Sequence, residues 1–234
     1  MERITKREPS RAARGGILRK GDFVWAAILA AVIAMFTVPA SAGLLLGLTA
    51  KYAYVMGFCK FAVLATMGEL LVTRIATGSW KKPNGLLARA IVWGLVGILV
   101  VLMFTLFNGG VMVAADKGLL PIGEGWVKTL LVAFWTSALM NLTFGPVFMA
   151  AHRISDAYID ARANKGKLRL IDAILDVDWR RFLEFVVGKT IPFFWIPAHT
   201  IDFLLPPGYR VLVAAFLSIA LGVILTWGKK SRNR

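Results

Sequence analysis

Apolar residues run through the chain in long blocks, which polar and basic patches interrupt. About 20 apolar residues cross the hydrocarbon core of a bilayer as one helix, so each block is predicted to be a transmembrane span. The pattern predicts an all-α fold, a polytopic transmembrane helical bundle of about six spans in one domain (23–229). Basic tails precede it at 1–22 and follow it at 230–234. The predicted spans are Phe23–Leu46, Tyr52–Arg74, Leu86–Val113, Val127–Ala151, Phe182–Leu205 and Val211–Trp227.

Small residues lie four apart along span one. Ala26, Ala30 and Ala34 form one stripe, and Gly43 and Gly47 continue the spacing. Such stripes let helices approach closely in lipid, where van der Waals contact holds them together. The stripe therefore predicts a helix contact at this face, with the alternative that small residues merely fill a span.

A polar stretch, 153–181, separates spans four and five. Leu168, Ile171, Ile174 and Leu175 recur in it at helical spacing between charged neighbours. This pattern predicts an amphipathic helix in the membrane interface. Just before the stretch, Pro146 is expected to kink span four because proline lacks a backbone N–H.

The charge distribution supports the six spans. The chain has 28 Lys and Arg against 13 Asp and Glu, a formal net charge of +15. Connections rich and poor in basic residues alternate, and the positive-inside rule then predicts both termini on the cytoplasmic side. Because the basic residues lie at the ends of apolar runs, they favour contact with anionic lipid headgroups over nucleic-acid binding.

The N-terminus and the cysteine content suggest a compartment. Cys59 is the single cysteine, which excludes an internal disulfide. The first apolar run is too long for a secretory signal and is expected to be retained, while Glu2 and Glu8 weaken a mitochondrial transit signal. These features favour a bacterial cytoplasmic (inner) membrane, with an organelle inner membrane as the alternative.

Several polar residues interrupt the central spans. Thr66 and Glu69 share one face of span two, and Asn141 lies inside span four. Polar groups at this depth usually face a bundle interior or a water-filled path, so all three are candidates for a polar path. The alternatives are a bond from Glu69 to Arg74 or to a neighbouring helix, and a helix-joining role for Asn141. Lys60 is expected to extend its amine to the headgroups.

His199 and Asp202, spaced i and i+3 in span five, are two further path candidates. Paired with each other, they would titrate near neutral pH. The alternative is a structural cap beside the turn at Pro206.

His152, Asp156 and Asp160 share a helix face at i, i+4 and i+8. Metal binding and acid–base chemistry both use such residues, and a solvated charged stripe is the alternative. The sequence has no nucleophile motif, no glycine-rich phosphate loop and no second His at ligand spacing. We therefore predict no enzyme activity, no cofactor and no metal.

The last third of the chain carries a recognisable motif. It resembles the C-terminal signature of the family of the 22-kilodalton peroxisomal membrane protein and its mitochondrial inner-membrane relative, Mpv-seventeen, although Asp202 replaces an Asn of that signature. The matching residues are Trp195, Pro197, Asp202-Phe203, Pro206, Tyr209-Arg210 and the late Trp227.

Earlier segments fit the same family in the same order. They are Gly68-Glu69, Gly109-Gly110 with Asp116 and Pro121, and Met140-Asn141 followed by Pro146. The family's central Gly-Pro and His-x-Trp-Tyr are absent, and span one with its long basic tail has the look of an addition. A divergent bacterial member of the family would combine these features.

The resemblance implies a helical, channel-like protein that passes small solutes and performs no catalysis. It makes Glu69, Asn141 and Asp202 the first positions to test. The sequence thus predicts a channel-like pore or carrier for small solutes or ions. The alternative is a non-catalytic structural or assembly subunit of a larger membrane complex, and a homo-oligomer is compatible with both.

Overall fold

The computed structural model describes residues 18–166 and 169–232, and the secondary structure within these ranges is helical. Residues 1–17 of the basic tail, Leu168 of the predicted amphipathic helix and residues 233–234 lie outside them. Nine α-helices and one π-helical segment occur in the described ranges. They are α1 Lys20–Thr37, α2 Pro39–Lys51, α3 Ala53–Thr77, α4 Leu86–Asp116, α5 Gly125–Lys165, α6 Leu170–Leu175, α7 Trp179–Arg181, the π-helical segment Phe182–Trp195, α8 Ile196–Leu204 and α9 Pro207–Arg232.

Five of these helices are long and apolar enough to cross a membrane. They are α1, α3, α4, α5 and the part of α9 up to Ile224. Large apolar side chains such as Val55, Val63, Leu95 and Leu99 point outward from them, as lipid-facing residues do. The helical, membrane-compatible architecture is thus confirmed, whereas six spans and the orientation of the termini stay predictions.

Span one, predicted as one helix over Phe23–Leu46, is broken. Val38 is extended, with ψ of 122°, and α2 starts at Pro39. A residue before proline is pushed out of the helical region by contact with the proline ring, which explains the break. The Val38–Pro39 pair therefore indicated a helix break, which the uniformly apolar pattern of span one did not reveal.

The closest helix contact also differs from the predicted one. Gly43 and Gly47 have open space around them, and the alanine stripe of span one is exposed. Instead, α3 and α4 pack backbone to backbone at Gly57 and Gly97, where a Cβ added to Gly97 would lie 2.1 Å from the Gly57 carbonyl oxygen. Glycine removes the side chain that would hold the helices apart.

Helix α5 is longer than the predicted span four, because it continues into the polar stretch as far as Lys165. At 1.5 Å per residue its 41 residues reach about 60 Å, twice the thickness of a hydrocarbon core. The short helices α6 and α7 follow, and α6 contains Ile171, Ile174 and Leu175 of the predicted amphipathic helix. Its place in the membrane interface stays a prediction. In α6, hydrogen bonds from Arg169 lower the pKa of Asp172.

The predicted span five forms in two parts. The π-helical segment passes directly into α8, giving 14 and 9 helical residues in succession. Pro192 lies inside the wide turns, and the N–H of Ile196 donates to the carbonyl of Ile191, five residues back. Neither part alone is among the five long apolar helices, and the segment returns along α5.

Candidate functional site

Buried polar residues gather at two levels of the bundle. The first group, here called the Arg89 cluster, comprises Glu69 of α3, Arg89 and Trp93 of α4, and His152, Asp156 and Asp160 of α5. The close packing of α3 on α4 brings Trp93 to Glu69, and the Trp93 Nε1–H donates to Glu69 Oε1 over 2.7 Å. The Trp93 ring packs on His152, with ring centroids 4.1 Å apart.

Arg89 is the centre of this cluster and is 8% exposed. Its Nη1 donates to Asp156 Oδ1 over 2.6 Å and its Nη2 to Asp160 Oδ1 over 2.7 Å. Its Nε donates to the Asn84 carbonyl over 3.0 Å, and Nη1 lies 3.7 Å from Glu69 Oε2. A guanidinium has five donors in a rigid fork, so one residue links carboxylates from two helices to a third.

Part of this cluster has the geometry of a cation site, as the spacing of His152 and Asp156 suggested. Glu69, His152 and Asp156 present ligand atoms that all lie within 4.8 Å of one another, so these three could hold a cation. Arg89 occupies the same neighbourhood, and its contacts with Glu69 and Asp156 supply positive charge there. Asp160, the predicted partner of Asp156, bonds Arg89 and is half exposed.

The predicted alternative partner of Glu69, Arg74, binds elsewhere. Arg74 donates from Nε and Nη2 to the carboxylate of Asp22 in α1, both at 2.8 Å, and Trp80 Nε1–H donates to the same group. Of the two predicted alternatives, Glu69 therefore bonds a neighbouring helix, through Trp93, and does not bond Arg74. Thr66, one turn earlier, has a buried hydroxyl with no hydrogen-bond partner among the described residues.

The second group, here called the Asn141 cluster, comprises Ser137 and Asn141 of α5, His199 of α8 and Trp195 at the end of the π-helical segment. The Asn141 amide lies 3.1–3.3 Å from His199 Nδ1 and donates to the Ser137 carbonyl over 2.8 Å. The Ser137 hydroxyl donates to the carbonyl of Ile196 over 2.7 Å. Trp195 stacks on His199, with centroids 5.1 Å apart. The cluster joins α5 to the predicted fifth span.

Asp202 does not pair with His199, so that predicted pair is wrong. The His199 ring is engaged by Asn141, whereas both carboxylate oxygens of Asp202 are buried without a hydrogen-bond partner in the described parts of the chain. The helical spacing put the two residues on one face of α8 but left the direction of each side chain open. Asp202 is not a cap for the turn at Pro206 either, because its side chain accepts no backbone N–H there.

A layer of aromatic rings lies between the two clusters. Along α5, Asn141 and His152 are 11 positions apart, which corresponds to about 16 Å of helix. Phe144 and Phe148 occupy that interval and stack with centroids 5.7 Å apart. Phe148 in turn stacks on His152, and Phe61 stacks on Trp93. Apolar rings thus separate the polar groups of one level from those of the other.

Sequence reasoning missed Arg89, Trp93 and Trp195 as site residues. For Arg89, the position inside the apolar block Leu86–Val113 was a signal for burial. Lys60 was expected to reach the headgroups but is 6% exposed. Its Nζ donates to the Thr49 hydroxyl over 3.0 Å and lies 5.1 Å from the centre of the Phe36 ring.

No family model, no curated protein and no solved structure matches this chain.

Proposed function

We propose that this protein is a channel-like pore or carrier that moves small solutes or ions across a membrane. The observation that carries the proposal is the pair of buried polar clusters, separated by the Phe144–Phe148 layer. Polar groups are costly in lipid and usually mark a solute path when several face one interior. The conformation described here is, on this proposal, a closed one in which the aromatic layer separates two halves of the path.

The helices around this layer suit a change of conformation. Pro146 lies inside α5 midway between the clusters, and Pro192 lies inside the π-helical segment that packs on α5. Each proline leaves a backbone carbonyl without its helical donor, and π-turns are frequent at functional sites. Interrupted helices line the solute sites of many transporters. The resemblance to the Mpv-seventeen family supports the same function.

We further propose six spans with both termini in the cytoplasm of a bacterium. The π-helical segment and α8 together have 23 residues, enough for the sixth span. The alternation of basic connections supports this orientation. Cysteine labelling from one side of intact cells would test it, starting from the Cys59→Ser variant, with one new cysteine in each connection.

Flux into proteoliposomes tests the proposed transport. Purified protein should speed the equilibration of potassium, chloride or a small uncharged solute relative to empty vesicles. Phe148→Ala opens the aromatic layer and should raise the flux severalfold. Phe134→Ala, on the outward side of the same helix, is the matched control and should leave it unchanged. If folded wild-type protein and folded Phe148→Ala both give no more flux than empty vesicles, transport is rejected.

A structural or assembly role is the second candidate. It is favoured by the Arg89 cluster, where most groups pair off, and by α1, of which only Phe36 is buried. An exposed apolar helix suits a partner as well as lipid. This candidate predicts a stable partner that copurifies in mild detergent and is lost when α1 alone is altered at Val24 and Ile28.

A further inference from the structure

Asp202 presents a buried carboxyl group that the structure leaves without a hydrogen bond. The residue is 0% exposed, and neither carboxylate oxygen has a hydrogen-bond partner among the described residues. An ionised carboxylate taken out of water without compensation is strongly disfavoured, and such a group becomes neutral instead. The Arg89 cluster shows the opposite arrangement, in which Asp156 and Asp160 accept hydrogen bonds from a guanidinium.

The charged and titratable groups on the helices around Asp202 are either engaged elsewhere or exposed. On α9, Arg210 attracts Asp202 electrostatically, but its Nε donates to the Leu205 carbonyl and its guanidinium lies over the Phe203 ring. On α8 itself, His199 bonds Asn141. In the π-helical segment, Glu184 near its start and Lys189 near its middle are exposed, and on α5 Lys128 is exposed.

A cavity of about 260 Å³ lies beside Phe203 and Arg210. Its polar lining comes from Asn108, Lys128, Thr129 and Arg210, and Phe203, the chain neighbour of Asp202, forms part of its wall. A cavity of this size and polarity can hold several water molecules. Phe203 and Arg210 both line this cavity and contact each other, whereas Asp202 itself is not a lining residue. Water in the cavity would therefore reach the carboxyl group only if this wall changed.

We propose that Asp202 is a proton-binding site, protonated in the closed conformation, which exchanges its proton with the cavity when Phe203 and Arg210 separate. In the exchange the carboxyl O–H bond breaks, its electron pair stays on the carboxylate oxygen, and the proton passes to a water molecule. The carboxylate so formed gains Arg210 as its ion-pair partner. The inference rests on the proposed function and names the proton as the ion that drives or accompanies solute movement.

A proton suits this site better than an alkali or alkaline-earth cation. Such a cation requires about six oxygen ligands. On α5, the Thr136 hydroxyl donates to Val132 and accepts from Asn108, and the Ser137 hydroxyl donates to Ile196 and accepts from Asn141. Each of these oxygens thus already uses a lone pair as an acceptor. Asp202 itself supplies two carboxylate oxygens, well short of that number.

Modification by dicyclohexylcarbodiimide tests the site without any transport assay, since this apolar reagent adds to protonated carboxyl groups in apolar surroundings. In the intact protein, peptide mapping by mass spectrometry should find the label on Asp202, with a rate that falls at least severalfold from acidic to alkaline pH. Glu69 and Asp156, bonded to Trp93 and Arg89, should stay unlabelled under the same conditions.

Variants sharpen the result. Asp202→Glu should keep the label and Asp202→Asn should lose it. If Asp202→Asn does not fold, the peptide map of the wild-type protein still identifies the labelled residue. Arg210→Gln removes the partner of the ionised form, so labelling should persist to higher pH. Arg180→Gln, an exposed control, should follow the wild type. Absence of label at acidic pH, a rate independent of pH, or protection by sodium but not by choline would each overturn the proton site.

Proton flux separates this inference from the proposed function. Vesicles with an imposed pH gradient should acidify faster with the wild type than with Asp202→Asn. Labelled Asp202 in vesicles that pass no probe would keep the proton site and reject transport. Flux through a protein whose Asp202 never labels would keep transport and reject the proton site.

Discussion

Two carboxylate-bearing regions of one bundle treat their charge in opposite ways. In the Arg89 cluster, Asp156 and Asp160 bond a guanidinium and Glu69 bonds Trp93. Around Asp202, a single carboxyl group is fully enclosed and has no hydrogen bond to any residue that the structure describes, although Arg210 lies on the next helix. The first arrangement fixes three helices to one another, whereas the second leaves one group free to change its protonation state.

The difference teaches that burial alone does not define a functional residue. Arg89 and Asp202 are almost equally enclosed. Removing Arg89 would leave buried carboxylates without a cation, whereas replacing Asp202 by a neutral residue would leave no buried charge unpaired. A group that holds helices together should therefore cost stability when it is altered. A group that binds a transported proton should cost function instead.

The largest effect is expected for Arg89→Met, which leaves three carboxylates facing one another without their cation. Loss of one partner from a buried ion pair costs about 3–5 kcal/mol, and the free energy of unfolding should fall by that order. Reversible unfolding in mixed micelles measures it. Arg180→Met is the matched control, because Arg180 pairs with Glu184 at the exposed surface, and it should change stability little. Equal effects of the two variants would show that the cluster does not hold the bundle.

A smaller effect is expected when the same change, Asp to Asn, is made in the two regions. Asp156→Asn loses a charge-assisted hydrogen bond to Arg89, which should cost about 1–3 kcal/mol. Asp202→Asn exchanges one neutral polar group for another if the carboxyl is protonated, so its cost should stay below about 1 kcal/mol. The same unfolding measurement compares them. A larger loss at Asp202 would mean that this residue is ionised and bound in the folded protein.

These regions also show what the sequence could predict. Hydropathy located α3, α4 and the apolar part of α5, and the helical period placed Thr66 and Glu69 on one face. The partners were not predictable, because Glu69 meets Trp93 only through the α3–α4 register that Gly57 and Gly97 set. Such a register depends on close backbone packing between segments that are 40 positions apart in the chain.

Two other differences have local causes that hydropathy averages out. The apolar run of span one hides the break at Val38, because Val38 and Pro39 are both compatible with an apolar helix by composition. The apolar run of span four ends at Ala151, yet the helix α5 continues through the polar residues that follow as far as Lys165. Asp156 and Asp160 on this part of α5 bond Arg89 of α4. A hydropathy average over neighbouring residues contains no information about such a tertiary contact.

The smallest effect is expected for Thr66→Val, which tests whether Thr66 belongs to a path or to the packing. The Thr66 hydroxyl is buried without a hydrogen-bond partner in the described part of the chain, so a methyl group of the same shape should stabilise the fold by up to about 1 kcal/mol. Thr136→Val is the matched control, since the Thr136 hydroxyl donates to Val132 and accepts from Asn108. That variant should lose about 1 kcal/mol.

If Thr66 faces the solute, Thr66→Val should slow the flux, while the free energy of unfolding shows no loss. A loss of stability equal to that of Thr136→Val would mean instead that the Thr66 hydroxyl is bonded in the folded protein, and Thr66 would leave the list of path residues.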